Sequence, residues 1–276
     1  MSDLVERLLG EIKKHNRRIV IIGDVIVDRW VHGRMMRCQD GCPKFIQEEV
    51  VETPGGAANA EQCLTMWVVK TSLCGYNRND CPIKTRYVED DSIIFRSDDD
   101  GRPNRGQDYQ WSRDLALEMS HTAGGVLLSD YDKGFLTPSF IKEVATVCRE
   151  RSIPCVADCK RTPETYNGCI RKGNLDWLRT YGREKLDVLT RGANLPCISN
   201  KVFVGKKGKV HCTNHVGAGD CFAAHLTLAL AYGFSLEEAA TIAHSAGRVY
   251  VQHPHNRAPS PREISADLLG IPVTAT

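Results

Sequence analysis

No apolar run in this 276-residue chain is long enough to span a bilayer. The opening stretch, MSDLVERLLGEIKKHNRR, is charged and amphipathic and lacks the apolar core of a secretory leader. It reads as a surface helix, and the cytoplasm is the expected location. Neither sign of charge is in excess: 36 Lys and Arg against 34 Asp and Glu leave a formal +2. That gives no electrostatic ground for a nucleic-acid partner or an anionic membrane surface. Internal repeats and low-complexity segments are absent. So is any Cys-x-x-Cys pair, although there are 12 cysteines. Cys38 with Cys42, and Cys155 with Cys159, are loosely spaced, and no matching histidine pair completes a zinc site. The thiols read as reduced and incidental. Of nine histidines, His244, His253 and His255 gather near the C-terminus, and no metal is assigned to them.

What is present is an ordinary globular composition, 42% hydrophobic and 25% charged. Its most informative four residues are Gly217-Ala218-Gly219-Asp220, just before an apolar helical stretch from about Asp220 to Tyr232. Phe222, Ala223, Leu226, Leu230 and Ala231 recur there at helical spacing. Two glycines let backbone N–H groups converge with no Cβ in the way. The first N–H groups of a helix lack internal partners and carry the positive end of its dipole. Such a turn suits an anion, and phosphate is the usual one. Asp220 then places a carboxylate beside that anion, as a helix cap or as a base for an attacking hydroxyl.

Four short apolar runs read as buried parallel strands: Arg18 to Gly23, Gly125 to Ser129, Pro154 to Ala157 and Leu186 to Thr190. A helix from Thr137 to Arg151, with Pro138 at its start, joins the second to the third. This alternation predicts a parallel sheet covered on both faces. Ligands of such sheets bind beyond the carboxyl ends of the strands. Asp24, Asp130, Asp158 and Arg191 fall at those ends. Val25 to Glu52 and Lys84 to Arg96 instead alternate polar with apolar residues, as antiparallel strands with one exposed face do. A small sheet projecting from the body would make a lid. Asp98-Asp99-Asp100-Gly101 reads as a solvated turn, and Arg102 to Asp108 as loop.

Gly23-Asp24-Val25 with Asp28, then Pro54-Gly55-Gly56-Ala57-Ala58-Asn59, then Gly217-Ala218-Gly219-Asp220 resemble, in content and order, the ribokinase-like family of sugar kinases. Within it, Gly23 to Trp30, Ser129 to Gly134 and Asp158-Cys159-Lys160 are most similar to the members that phosphorylate heptose 7-phosphate at its anomeric hydroxyl. The resemblance runs from about Arg18 to Pro261. It implies a three-layer α/β/α fold with a doubly wound, mostly parallel sheet and a small β-sheet lid. A single kinase domain would span 1–276, with lid segments at about 25–52 and 84–97. It also implies ATP, Mg²⁺ and a monovalent cation as cofactors, a sugar or sugar phosphate as partner, and a homodimer through the lid.

The same resemblance assigns roles. Asp220 would be the base, and the backbone N–H groups of Gly217, Ala218 and Gly219 would steady the transferring phosphoryl. Asp24 and Asp28 would grip sugar hydroxyls. Gly55 and Gly56 would let the backbone approach the sugar, with Asn59 hydrogen-bonding a hydroxyl. Lys84, Arg86 and Arg96 would face the acceptor's own phosphate. Asp130, Lys133 and Lys160 would line the phosphate channel. Asn174 would stand near the magnesium–phosphate site, Thr190, Arg191 and Gly192 near the nucleotide phosphates, and His244 near adenine. No residue is assigned directly to metal.

Two departures stand out. The passage between Gly75 and Lys84 has shrunk to YNRNDCPI, where the family has a helix, strand and helix. Between Asn174 and Leu186 the family's Thr-Pro-Asn has become Lys172-Gly173-Asn174, and its Glu-bearing helix is shortened. Other family kinases, for ribose, fructose-type sugars or nucleosides, share most of these residues, but an unphosphorylated acceptor has no need of the Lys84, Arg86 and Arg96 cluster. A catalytically silent sugar or nucleotide sensor is a third reading. The deletions favour it and an intact Asp220 opposes it.

Overall fold

The computed structural model describes residues 1–37, 41–77, 80–90, 92–101, 107–182, 186–199, 202–206, 208–254 and 256–272. Cys38 and His255, and most of the stretch read as loop after Gly101, lie outside the described residues.

Helix α1 (Asp3–His15) precedes strand β1 (Arg18–Gly23), whose residues after Arg18 are all buried. Ile19 and Ile21 belong to one apolar cluster and Val20 and Ile22 to another. That is the signature of a strand with both faces covered, because successive side chains point to opposite faces. The main sheet follows from β1 outward: β4 (Lys70–Cys74) on one side, then β7 (Gly125–Ser129), β8 (Cys155–Asp158), β9 (Ile170–Gly173) and β10 (Val188–Arg191) on the other. All these pairings are parallel. Strands β11 (Asn194–Ile198) and β12 (Val202–Phe203) close that side antiparallel.

Helix α1, α2 (Ala57–Leu64), α6 (Ala218–Ala231), α7 (Leu236–Tyr250) and α8 (Pro261–Leu269) cover one face. Helices α3 (Gln107–Ser120), α4 (Pro138–Glu150) and α5 (Leu175–Tyr181) cover the other. The doubly wound reading is therefore borne out, with one change of order. The four expected strands do not all lie side by side, because β9 stands between β8 and β10. Its sequence, IRKG, is too short and too polar to read as a strand, and only its neighbours make it one. Helix α3 also begins at Gln107, inside the stretch read as loop.

A second sheet has the order β3 (Pro43–Gly56), β2 (Val25–Arg37), β5 (Ile83–Glu89) and β6 (Ser92–Asp99). Asp98 and Asp99 belong to β6 rather than to a turn. Every residue of β6 is exposed, so acids there lose no hydration. Strand β2 pairs antiparallel with β3 but parallel with β5. The expectation of a wholly antiparallel lid is corrected on that point. Strands β1 and β4 are parallel in the body, and β2 and β5 each continue the chain beyond their ends in the same direction. The shortened passage before β5 is sealed by aromatic packing: Tyr76 stacks on Tyr109 with ring centres 5.6 Å apart and meets Phe135 edge-on at 5.3 Å.

Helix α6 carries the Gly-Ala-Gly-Asp turn and is apolar almost all round, as a helix buried between others must be. It begins at Ala218, two residues before the expected start. Its single internal polar ring, His225, is fully buried. Indole nitrogen only donates, so the 2.9 Å bond from Trp67 Nε1 makes His225 Nε2 an acceptor. Nδ1 then carries the proton and donates to the Cys221 carbonyl at 2.8 Å. This bond ties α6 to the turn that follows α2. Trp67→Phe should leave a buried acceptor unpaired and cost about 1–3 kcal/mol, read by urea unfolding. An unchanged midpoint would show that the bond does not hold the two helices.

Candidate active site

Asp220 sits in the first turn of α6, and its carboxylate is shared between two donors. Tyr131 Oη donates to Oδ1 at 2.7 Å and Asn59 Nδ2 donates to Oδ2 at 3.0 Å. Burial outweighs these bonds and raises the Asp220 pKa to about 7. The two bonds and the Lys172 ammonium pull it down, while the Asp158 charge pushes it further up. An acid poised near neutrality is suited to accept a proton at the working pH.

Each donor is itself fixed. Asn59, fully buried on α2, also donates to the Gly217 carbonyl at 3.2 Å and accepts from Tyr250 Oη at 3.3 Å. The backbone at Gly217 has φ +83°, and a Cβ there would lie 2.4 Å from both Asn59 Nδ2 and Tyr250 Oη. Only glycine allows the turn to close on these groups. Of the three expected phosphate-binding amides, that of Ala218 donates to the His215 carbonyl at 3.3 Å. Those of Gly217 and Gly219 have no acceptor among the described residues.

Tyr131 lies on the loop after β7, and Asp24 fixes that loop. Asp24 Oδ2 accepts the N–H groups of Tyr131 at 2.8 Å and Lys133 at 3.1 Å, and Oδ1 accepts that of Phe135 at 3.1 Å. Asp24 is fully buried. Besides any sugar contact, Asp24 thus grips the backbone of this loop. Asp130 is committed in the same way, to the Asp132 amide, Tyr166 Oη and Arg161 Nε at 2.8, 2.7 and 3.0 Å. These bonds brace the loop. Lys133 pairs with Asp100, which closes the lid's end onto the same loop.

On the lid side, Asp28 accepts from Arg86 Nη1 at 2.6 Å, with both side chains buried. Arg86 also packs over Trp30 at 4.9 Å. A Cβ on Gly55 would lie 2.4 Å from Asp28 Oδ2, so this glycine makes room for the carboxylate. Gly56 immediately precedes α2 and so starts the helix that carries Asn59. Arg96 turns to Asp98. Of the three cations expected to face a substrate phosphate, two are thus paired with lid carboxylates. Lys84 is not: it is buried, makes no ion pair among the described residues, and lies over the Tyr131 ring at 4.2 Å. Burial lowers its pKa, against the pull of Asp28.

On the far side of Tyr131 and Gly219 opens a cavity of about 400 Å³. Thr190, Arg191 and Gly192 line it from the β10–β11 hairpin, and His244 from α7. Lys160 and Asn174 also reach it. His244 Nε2 lies 3.2 Å from the Lys206 carbonyl, and burial lowers its pKa. The expected nucleotide-side residues are therefore brought to one cavity, and the Gly-Ala-Gly turn joins it to Asp220. The sequence reading left Lys172 and Tyr131 without roles, although both stand inside quoted motifs. Lys172 stands on the cavity floor, with Nζ 2.7 Å from Asp158 Oδ2.

The acid and the amide that line the phosphate end of the cavity are engaged with protein groups. Asn174 Oδ1 caps α5 by accepting from the Trp177 amide at 2.9 Å. Asp176 is exposed and pairs with Arg179. Asp158 is paired with Lys172, and Asp220 with Tyr131 and Asn59. Among the described residues no three His, Cys, Asp or Glu side chains converge as metal ligands do. That also holds for the described members of the cysteine and histidine groups noted in the sequence. No helix among the described residues is long and apolar enough to cross a membrane.

The family model for pfkB family carbohydrate kinases matches residues 188–263. Curated relatives named bifunctional protein HldE are similar over most of the chain. That of Koribacter versatilis is 26% identical over 91% of this chain, and that of Geobacter metallireducens 26% over 94%. The chain spans 63% and 64% of the length of these two relatives. In fold, Arabidopsis thaliana ribokinase, solved with ribose and ATP, superposes with a TM-score of 0.69 at 16% identity, covering 91% of this chain and 98% of its own. Escherichia coli phosphofructokinase-2, solved with potassium, gives 0.67 at 16% identity, with coverage of 92% and 99%. The fold is the one shared by these ribokinase-like structures, and the pfkB match and the HldE relatives bear out the resemblance read from the motifs. The family match supports an ATP-dependent carbohydrate kinase.

Asp24 and Asp28 should each cost stability on substitution. Asp24→Asn turns a donor toward loop amides and should cost about 1.5–3 kcal/mol per bond lost, seen as a lower denaturation midpoint. Asp28→Asn should leave the buried Arg86 guanidinium without its carboxylate and cost about 3–5 kcal/mol. Equal stability of Asp24→Asn and the parent chain would show that Asp24 does not hold the loop.

Proposed function

We propose that the chain transfers the γ-phosphoryl of ATP to a hydroxyl of a phosphorylated sugar, the anomeric hydroxyl of heptose 7-phosphate being the favoured acceptor. The carrying observation is the position of Asp220, buried between the lid side and the nucleotide-side cavity, with a pKa near neutrality. The heptose acceptor rests on the motif resemblance and is supported by the HldE relatives.

A sugar hydroxyl is a weak nucleophile at neutral pH, so alignment and a positioned base carry much of the rate. In this reading the acceptor enters under the lid beside Asp28 and Lys84, and its hydroxyl displaces Tyr131 or Asn59 from Asp220. The carboxylate takes the proton as the oxygen attacks phosphorus. The free amides of Gly217 and Gly219 hold the transferring group. Lys84, buried and without an ion pair among the described residues, receives the acceptor's phosphate. Closure of the lid onto the loop excludes water and suppresses hydrolysis. A homodimer through the lid belongs to the same reading, supported by the exposed Met35, Met36, Val50, Ile93, Ile94 and Phe95. Sedimentation that finds monomer at all concentrations would remove it.

Asp220→Asn tests the core of the proposal. Asn keeps the size and can still bond Tyr131, but cannot take a proton, so kcat should fall about 10²–10⁴-fold. Stability should respond differently. The folded pKa is raised to about 7 from an ordinary 3.8, so the native state holds a proton that the unfolded chain has lost between those values. Stability of the parent chain therefore falls as pH rises through that window, and Asn removes the penalty. Asn also turns a donor toward Asn59 Nδ2, so at pH 8 the lost bond and the removed penalty should nearly cancel in melting temperature. A variant that melts early yet turns over normally would make Asp220 a cap. The same pKa predicts that kcat/KM climbs with pH and levels off above about 7.

Lys84→Met should raise KM for a phosphorylated acceptor at least tenfold, the scale of one charge-assisted bond, and leave KM for ATP nearly unchanged. Equal losses on both substrates would assign Lys84 to the fold of the lid.

A further inference from the structure

The phosphate end of the cavity is short of metal ligands but contains a buried lysine. Lys172 is 3% exposed, at the end of β9, and lines the cavity with Asp158, Lys160, Ala218 and Gly219. Its ammonium donates to Asp158 Oδ2 at 2.7 Å and to the Gly219 carbonyl at 3.3 Å. Both partners are oxygens, one of them a carboxylate, so the ammonium occupies a small oxygen-lined niche of the kind that suits a cation. Three features make this niche a built one. Gly219 has no side chain, and a Cβ there would sit 3.2 Å from Nζ. Lysine is seldom buried unless paired, and a buried ion pair contributes little net stability over apolar packing. Finally, an ammonium has three protons, and only two find acceptors among the described residues.

The position matters because Gly219 is also the residue whose free amide faces the expected phosphoryl group. A cation fixed to its carbonyl side is within the same turn. The residue is a departure as well: the family resemblance has threonine here, which carries no charge.

We propose that Lys172 is a built-in cation of the phosphoryl-transfer site, binding the terminal phosphates of the nucleotide and supplying positive charge that the residues around it do not recruit as a metal. Asp158 positions the ammonium while the site is empty. Arriving phosphate oxygens take the third proton and draw the ammonium toward them. Lys172 thereby lowers the need for divalent metal in nucleotide binding. The inference rests on the kinase reading of the same cavity.

The test is calorimetric titration of ATP, ADP and AMP into the full chain, in EDTA and in magnesium. The parent chain should bind ATP in EDTA, within about tenfold of its affinity in magnesium. Lys172→Thr should weaken ATP and ADP in EDTA by about 10–100-fold, the scale of one charge-assisted bond, and AMP by less than about threefold. Lys172→Arg should restore most of the loss. Asp158→Asn, which leaves the ammonium in place, should bind ATP in EDTA at least as well as the parent. Equal weakening by Lys172→Thr and Asp158→Asn would overturn the proposal and reduce the pair to a structural one. So would a folded Lys172→Thr that binds ATP in EDTA like the parent. A parent chain that binds ATP only with magnesium overturns the built-in cation and leaves the kinase reading standing. One that binds no nucleotide under either condition overturns both.

Discussion

The Asp220 carboxylate is the point on which the site depends, because its two hydrogen bonds join three otherwise separate pieces of chain. Asn59 arrives on α2, directly behind the lid strand β3. Tyr131 arrives on the loop after β7. Asp220 itself stands at the start of α6, the helix buried at the centre of its layer. A buried carboxylate left unpaired would be costly, so its partners must be held in place. Much of the surrounding polar structure does that holding. Asp24 pins the Tyr131 loop through three backbone amides, and Asp130 braces it from behind. Gly217 leaves the space into which Asn59 and Tyr250 close. The two acids at the ends of β1 and β7 thus hold the loop that presents Tyr131 to Asp220.

Charge is apportioned in a similar way on either side of that point. On the lid, Asp28 takes Arg86 and Asp98 takes Arg96, while the buried Lys84 makes no ion pair among the described residues. In the cavity, Asp158 takes Lys172 but only through part of its donor capacity. A dianionic acceptor on one side and a polyphosphate on the other would each meet one buried ammonium. Tyr131 lies between them, under Lys84 at 4.2 Å and Lys160 at 5.4 Å, and hydrogen-bonded to the base. Movement of this ring on substrate entry would couple both sides to the ionisation of Asp220.

Motifs that act locally were legible in the sequence. Gly217 to Asp220 announces a helix N-terminus by composition alone, and the strand runs at Arg18 and Gly125 are apolar enough to require burial on both faces. The order of motifs was enough for the ribokinase-like resemblance. What escaped depends on neighbours distant in sequence. IRKG is a strand only because β8 and β10 flank it, and the charge of Lys172 becomes meaningful only when β9 carries it beneath Gly219. The partner of a charged side chain is equally hidden. Arg86 reads as a free phosphate ligand until β5 is laid parallel to β2, two registers from Asp28. The grip of Asp24 on backbone is hidden until the Tyr131 loop folds over it. Helix α3 went unread because its apolar residues form a weak stripe and one of the largest, Trp111, is exposed.

The most direct measurement of the central claim is ADP release by the purified chain across a panel of sugars, sugar phosphates and nucleosides. The account predicts release with a phosphorylated sugar, strongest with heptose 7-phosphate, and little with unphosphorylated sugars or nucleosides. A chain that binds ATP and releases no ADP with any acceptor would contradict it, and would make the protein a nucleotide sensor built on a kinase fold.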